Sequence, residues 1–204
     1  MSRCEKCNDR KYIIVNGKWQ DCLCLLQLKL RRKYELANIP KIFQEYGWSD
    51  FFKDFPRTKR LRTLCKKILR KVKRNKKCKF LYITGDTNSG KQAFVSLLLK
   101  EFIVLNLTCK FVSLSDLIQM EFSKEEKDEK IFNYYDIVCL RMGTVIEHKY
   151  ARFVLEKFYT SRRNNRKYCI ITSRIDISTK SNIYGLEMSK LVNDGRKFLK
   201  VRMR

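Results

Sequence analysis

The chain has 204 residues, enough for one medium α/β domain with a small appendage, and its 44% hydrophobic content excludes a disordered tail as the overall description. Lys and Arg number 46 against 21 acidic residues, a formal charge of +25, so a polyanion is the expected partner and nucleic acid the leading candidate, ahead of a merely solvated basic scaffold. Met1-Ser2-Arg3 runs straight into Cys4, and the longest apolar stretch, Phe94–Leu105, is broken by Lys100 and Glu101, so secretion and membrane spanning are not expected and a cytoplasmic location is.

Periodicity divides the chain into a cysteine-bearing knuckle over 1–24, a helix and connector over 25–57, and a main domain over 58–204. In the knuckle, Cys4-Glu-Lys-Cys7 and Cys22-Leu-Cys24 form two close pairs, and Asn16-Gly17 between Tyr12–Val15 and Trp19 supplies a hairpin turn. Such a hairpin brings Cys4, Cys7, Cys22 and Cys24 around one tetrahedral zinc ion, whose binding would be the folding energy of a segment too short to bury a core. Four thiolates and one divalent cation contribute −2, reducing +25 to +23. A four-cysteine site leaves no open coordination position, so its expected role is structural, presenting surface to a partner protein or to single-stranded nucleic acid. The other five cysteines, Cys65, Cys78, Cys109, Cys139 and Cys169, have no pairing rhythm and read as reduced, mostly buried thiols.

A helix is predicted from Leu25 to about Leu36, followed by a connector through Pro40. From Thr58, the apolar residues Leu61, Leu64, Cys65, Ile68, Leu69 and Val72 keep a helical rhythm, while nine Lys/Arg between Lys59 and Arg74 fill the other faces. Strand-like runs then alternate with helical stretches: Phe80–Thr84, a helix from Lys91, Cys109–Ser113, a helix from Ser115, Tyr135–Leu140, a helix from about Glu147, and Tyr168–Thr172. That alternation predicts an α/β fold, a parallel sheet covered by helices on both faces.

Between the first of these strands and its helix stands Gly85-Asp86-Thr87-Asn88-Ser89-Gly90-Lys91, the GxxxxGK pattern of a phosphate-binding loop. Backbone N–H groups in such a loop surround the β-phosphate, the helix N-terminus adds partial positive charge, and the lysine reaches the β and γ oxygens. The next position, Gln92, stands where the pattern carries a Ser/Thr hydroxyl for magnesium, so ATP binding with weakened magnesium dependence is expected.

Taken in order, CxxC-Asn8-Asp9 with Tyr12-Ile13-Ile14, the CxC pair, Asn38-Ile39-Pro40-Lys41-Ile42-Phe43 and the phosphate loop resemble bacterial and phage helicase loaders of the DnaC/DnaI type, related to the IstB transposition ATPases. The resemblance covers nearly the whole chain. It implies an AAA+, RecA-like P-loop core, here without a C-terminal lid, that delivers a hexameric replicative helicase onto single-stranded DNA, with the N-terminal part gripping the helicase; self-association into a homo-oligomer is compatible with it. Against the acidic pair such loaders carry after the third strand, this chain has Arg141-Met142, and Asp136 lies at the wrong end of its strand to substitute. Thr172-Ser173-Arg174 replaces a polar Thr-Ser-Asn sensor, and in Ser189-Lys190-Leu191 a lysine stands where the family places an arginine finger. Loss of a positioned base costs ~10²–10⁴ in rate and of a finger ~10³–10⁵, so turnover near background is expected and no residue is assigned a catalytic role. Arg141, Arg174 and Lys190 are candidate cations at the site; Arg141 or Arg174 would neutralise the γ-phosphate in place of magnesium, or else face solvent or DNA.

Basic clusters at Arg31-Arg32-Lys33, Lys66–Lys79, Arg162-Arg163 with Arg166-Lys167, and Arg196–Arg204 suggest a broad nucleic-acid stripe with steep salt dependence. Among interleaved aromatics, Tyr168 and Phe198 fit core positions and Tyr159 is open to either role, while Lys124–Lys130 reads as a solvated loop. Three readings result: a loader using nucleotide as a switch, with an IstB-like transposition protein as a variant; a DNA-binding pseudo-ATPase that regulates or inhibits a helicase; and a P-loop phosphotransferase, against which Arg141 and Met142 argue. Small size and high charge fit a phage or mobile-element product.

Overall fold

The computed structural model describes residues 4–73, 80–123, 133–143, 149–174 and 198–203. Strands β1 (Tyr12–Val15) and β2 (Lys18–Asp21) pair antiparallel, with Ile14 opposite Trp19. Asn16 (φ 51°) and Gly17 (φ 73°) both adopt the left-handed conformation that a two-residue turn needs to match the twist of its strands. Helix α1 (Leu23–Leu36) starts two residues before the predicted Leu25.

The segment expected to be a connector carries two short helices, α2 (Lys41–Gln44) and α3 (Trp48–Asp54). At the start of α3 the Gly47 N–H donates to Asp50 Oδ2 (2.7 Å), satisfying one of the donors a helix start leaves open. Trp48, Phe51, Phe52 and Phe55 interlock there, and Trp48 and Phe51 both meet Phe94. Lys100 donates to the carbonyls of Gln44 (2.7 Å) and Tyr46 (2.8 Å) and Trp48 Nε1 to Glu101 (2.9 Å), so this segment is strapped to one helix of the main domain.

Among the described residues, that domain holds a five-stranded, all-parallel sheet in the order β4-β5-β6-β3-β7, with β3 Phe80–Gly85, β4 Cys109–Ser113, β5 Ile137–Arg141, β6 Tyr168–Ser173 and β7 Phe198–Met203. Helices α4 (Lys59–Lys73), α5 (Lys91–Val104), α6 (Leu114–Ser123) and α7 (Lys149–Asn164) accompany it. Successive strand residues point to opposite faces, so Leu81 and Ile83 join one core with α1, α4 and α5, while Phe80 and Tyr82 join another with α6 and α7. The predicted doubly covered parallel sheet is therefore what forms. No helix among the described residues is long and apolar enough to cross a membrane.

Two expectations for the basic surface are corrected. Arg162, read as part of a nucleic-acid-facing cluster, is completely buried and donates to the carbonyls of Tyr135 (2.5 Å), Asp136 (2.8 Å) and Tyr168. These carbonyls lie where β5 and β6 begin, and a guanidinium fork satisfies several at once. Lys167 is paired with Asp136 (2.8 Å), leaving Arg163 and Arg166 as the exposed members of that cluster. Tyr159, open to a stacking role in the sequence, is 3% exposed and packs on Phe80, ring centroids 4.8 Å apart. Tyr168 is half-buried against the α5-side core, as its strand pattern suggested. Cys65, Cys109, Cys139 and Cys169 are buried free thiols; Cys78, Lys124–Lys130 and the side chain of Phe198 lie outside what is described.

Candidate nucleotide and metal sites

Strand β3 delivers the chain to the carboxyl edge of the sheet, where residues 85–90 turn and α5 begins at Lys91. Two glycines make the turn possible. A Cβ on Gly85 would lie 2.1 Å from the Met203 carbonyl oxygen of β7 and 2.8 Å from Ser89 Oγ, and a Cβ on Gly90 (φ 81°) would lie 3.0 Å from the Phe55 ring. Asn88 also takes a left-handed conformation (φ 63°). Asp86, Thr87 and Asn88 are exposed, whereas Ser89 is buried.

Inside this turn sits the Lys91 ammonium, donating to the carbonyls of Gly85 (2.6 Å) and Asp86 (2.5 Å) and to Ser89 Oγ (3.2 Å). Its three protons are thus held by the loop itself. Burial lowers the Lys91 pKa; the Asp86 carboxylate opposes that shift and the positive charge of Arg174 adds to it. Arg174 follows β6 directly, and β6 pairs with β3 through Ser173 opposite Thr84, so its sequence position already places it beside the loop. Arg141 ends β5, exposed, in register with Thr172 of β6. Loop, Arg141 and Arg174 therefore share the carboxyl edge of three adjacent strands, β5-β6-β3, where ligands bind in open α/β sheets.

Gln92 is half-buried in the first turn of α5. Met142 is 1% exposed and packs in the α6/α7-side core, its N–H donating to the Thr172 carbonyl (2.9 Å), so a side chain there cannot activate water. Asp136 lies at the opposite end of β5, bound to Thr108 and Lys167. Asp116, beyond the end of β4, accepts the Ser113 N–H (2.9 Å) as a cap of α6. Lys190 lies outside the described residues. One fit observation concerns Thr84: its hydroxyl, at the base of the loop, is buried without a hydrogen-bond partner among the described residues. The donor set of 85–91, a lysine and a turn of amides at a helix start, suits a nucleoside triphosphate.

The sequence missed Phe55 and Met203 as neighbours of the loop. Phe55 carried a signal, since the run Phe51-Phe52 to Phe55-Pro56 is too aromatic for a solvated connector. Met203 carried none, being brought in by the pairing of β7 with β3.

Around the hairpin, the sulfurs of Cys4, Cys7, Cys22 and Cys24 all lie within 4.8 Å of one another, with Cys4–Cys22 at 3.9 Å and Cys7–Cys24 at 3.4 Å. Sulfurs ≈ 2.3 Å from a central zinc ion stand apart by distances of this order, so the cluster fits a tetrahedral ion. The crowding pushes the Cys24 thiol up to about 12, chiefly through its hydrogen bond with Cys7, an effect a divalent cation would reverse.

A parallel sheet in this order, with the turn following its β3 strand at the carboxyl edge, defines a P-loop fold of the AAA+ kind. No protein-family profile and no curated protein sequence matches the chain. Solved structures do. The fold is similar to that of the DnaC helicase loader (16% identity, 62% of this chain and 78% of that one, TM-score 0.54). It is also similar to a protein described as a primosome component from Streptococcus pyogenes serotype M3 (15%, 84% and 94%, TM-score 0.61). A third is the replication initiator DnaA bound to AMPPCP and single-stranded DNA (14%, 69% of this chain and 46% of that one, TM-score 0.56). The chain therefore has the AAA+ core fold found in helicase loaders and initiators.

Proposed function

We propose that this chain is a DNA-replication protein of helicase-loader type, which binds ATP and single-stranded DNA and delivers or remodels a hexameric replicative helicase with little or no hydrolysis of its own. The observation that carries the reading is the 85–91 turn with the Lys91 ammonium inside it, at the carboxyl edge of an AAA+ sheet. Support also comes from loaders and a nucleotide- and DNA-bound initiator sharing the fold.

In this reading the loop amides from Asp86 to Lys91 hold the β-phosphate, and Lys91 exchanges its carbonyl partners for phosphate oxygens. Arg141 and Arg174 supply positive charge toward the γ-phosphate, where carboxylates would otherwise hold magnesium. Bound ATP supplies negative charge at the junction of β3, β5 and β6, and its differential affinity for two arrangements would serve as the switch. The four cysteines hold a structural zinc ion that fixes the hairpin.

The test is binding of a fluorescent ATP analogue with and without chelator, beside Lys91→Ala. Retention of most affinity in EDTA, with loss of at least tenfold in the variant, supports the reading. No saturable binding by the unaltered chain, or affinity that collapses without magnesium, contradicts it. Co-purification with a tagged replicative helicase tests the partner.

A pseudo-ATPase that regulates a helicase is favoured over an active loader by one feature, the Arg141-Met142 pair with Met142 buried. Helicase transfer onto a closed single-stranded DNA circle, measured with and without the chain, separates them: acceleration selects the loader, and no change or a slowing selects the regulator.

A further inference from the structure

Helix α4 carries fifteen residues, KRLRTLCKKILRKVK, without a single acid. A basic amphipathic helix read from sequence suits three partners equally: an anionic membrane, an apolar protein groove, or nucleic acid. Its placement decides among them. Leu61 (8% exposed), Cys65 (3%) and Val72 (5%) are buried in the α5-side core, and Leu64, Ile68 and Leu69 pack against the same core. A membrane or an apolar groove would need that stripe, which is already occupied.

What remains outward is charge. Seven Lys and Arg side chains from Arg60 to Lys73 are exposed, and among the described residues none of them pairs with a carboxylate. They cover roughly half the helix circumference over about 20 Å of axis, with neighbours three and four residues apart spaced ≈ 5–6 Å. Like charges so placed repel, and a row of phosphates relieves that repulsion. With its apolar stripe packed on the core, only the cationic face of the helix is open to a nucleic acid. A duplex backbone, stiff over many base pairs, curves away from a straight row of cations after a few phosphates, whereas a flexible single strand follows it throughout.

We infer that the outer face of α4 is a track for the backbone of single-stranded DNA, bound by phosphate charge without base readout. This rests on the DNA-binding part of the function proposed above and assigns it to a helix packed on α5.

The experiment uses the full chain and a labelled twenty-nucleotide poly-dT strand over a range of salt. Lys66→Glu with Arg70→Glu and Lys71→Glu should weaken binding tenfold or more at low salt. The slope of log affinity against log salt should fall by about 2, three lost contacts at ≈ 0.7 each. Arg163→Glu with Arg166→Glu, at the end of α7, should change affinity less than twofold. Unchanged binding of the ATP analogue by the α4 variant shows the fold intact. DNA affinity within twofold of the unaltered chain overturns the inference while leaving the proposed function standing. Tighter binding to an equal-length duplex, or a preference for phosphatidylserine vesicles over the oligonucleotide, overturns it as well. An unaltered chain that binds the ATP analogue but no single strand overturns both the inference and the DNA-binding proposal.

Discussion

In the hairpin of β1 and β2, Ile14 and Trp19 face each other across the strands yet stay 63% and 73% exposed, whereas all six residues of β3 are buried. The first region thus closes without a core: Cys7 and Cys22 are its buried residues, and a cross-strand pair contributes only ~0.2–1 kcal/mol. In the sheet and the α5 helix packed on it, the burial of Tyr82, Ile83, Leu140, Phe94 and Leu98 supplies the stability instead. Turn chemistry and four sulfurs stand where, in the sheet, apolar area stands. If that is the right division, each region should fail under a different insult.

The largest effect expected is on the hairpin. Structural zinc binds with ~10–16 kcal/mol, so chelation, or Cys22→Ser, should unfold residues 4–22 outright. Trypsin would then cut at Arg10, Lys11 and Lys18, while the thermal transition of the main domain stays in place. Metal analysis giving no zinc, with the hairpin still protease-resistant, would break the comparison at its root.

The converse insult is Phe94→Ala. Phe94 is fully buried and meets Trp48 and Phe51, ring centroids 6.0 and 6.1 Å away, so its truncation should destabilise the main domain by ~3–5 kcal/mol in denaturant unfolding. Zinc content should remain one ion per chain. Release of zinc together with the loss of stability would show that the two regions fold as one.

How far each region can be read from sequence follows from the same division. Helix α5 begins at Lys91, as its motif and flanking strand require, and β4 spans the predicted Cys109–Ser113, because buried parallel strands are continuous apolar runs. The cysteine spacing with Asn16-Gly17 likewise pointed to the observed sulfur cluster. Contacts between distant segments stayed hidden. Nothing local reveals that β7, Phe-Leu-Lys-Val-Arg-Met, is an edge strand whose end crowds Gly85, since alternating cations make it look like a charged tail. The short helices α2 and α3 are below the length at which periodicity speaks. Arg162 was legible and misread: it stands seven residues after Leu155, in phase with Phe158 and Tyr159, on the apolar stripe of α7. A cation at such a position signals a buried hydrogen-bonding role before a surface one.

That correction can be tested. Arg162→Leu keeps the apolar bulk but leaves the carbonyls of Tyr135, Asp136 and Tyr168 without their donor. An unmet buried acceptor costs ≈ 1–3 kcal/mol, so a loss of about 2–4 kcal/mol is expected, with single-stranded DNA affinity unchanged. A stable variant with weakened DNA binding would return Arg162 to the surface cluster.

The smallest effect is a pH-dependent one at the amino end of the same strands. Burial favours the neutral form of Asp136, but the hydrogen bond from Lys167, those from the Thr108 N–H and hydroxyl, and the Lys167 charge outweigh it, so its pKa lies below the ordinary 3.8. A depressed folded pKa stabilises the fold at pH above the unfolded value, and that stability is lost as pH falls below 3.8 through the folded value. The pair is part-exposed, side chains 29% and 35% accessible, so solvent screening keeps its contribution to roughly 1 kcal/mol or less. Asp136→Asn should therefore lower stability slightly at neutral pH and flatten the acid limb of the stability curve, measured by urea unfolding between pH 2.5 and about 6. An unchanged acid limb would mean that Asp136 is held no more tightly in the fold than in the unfolded chain. The link it makes between β4, β5 and Lys167 would then be geometric only.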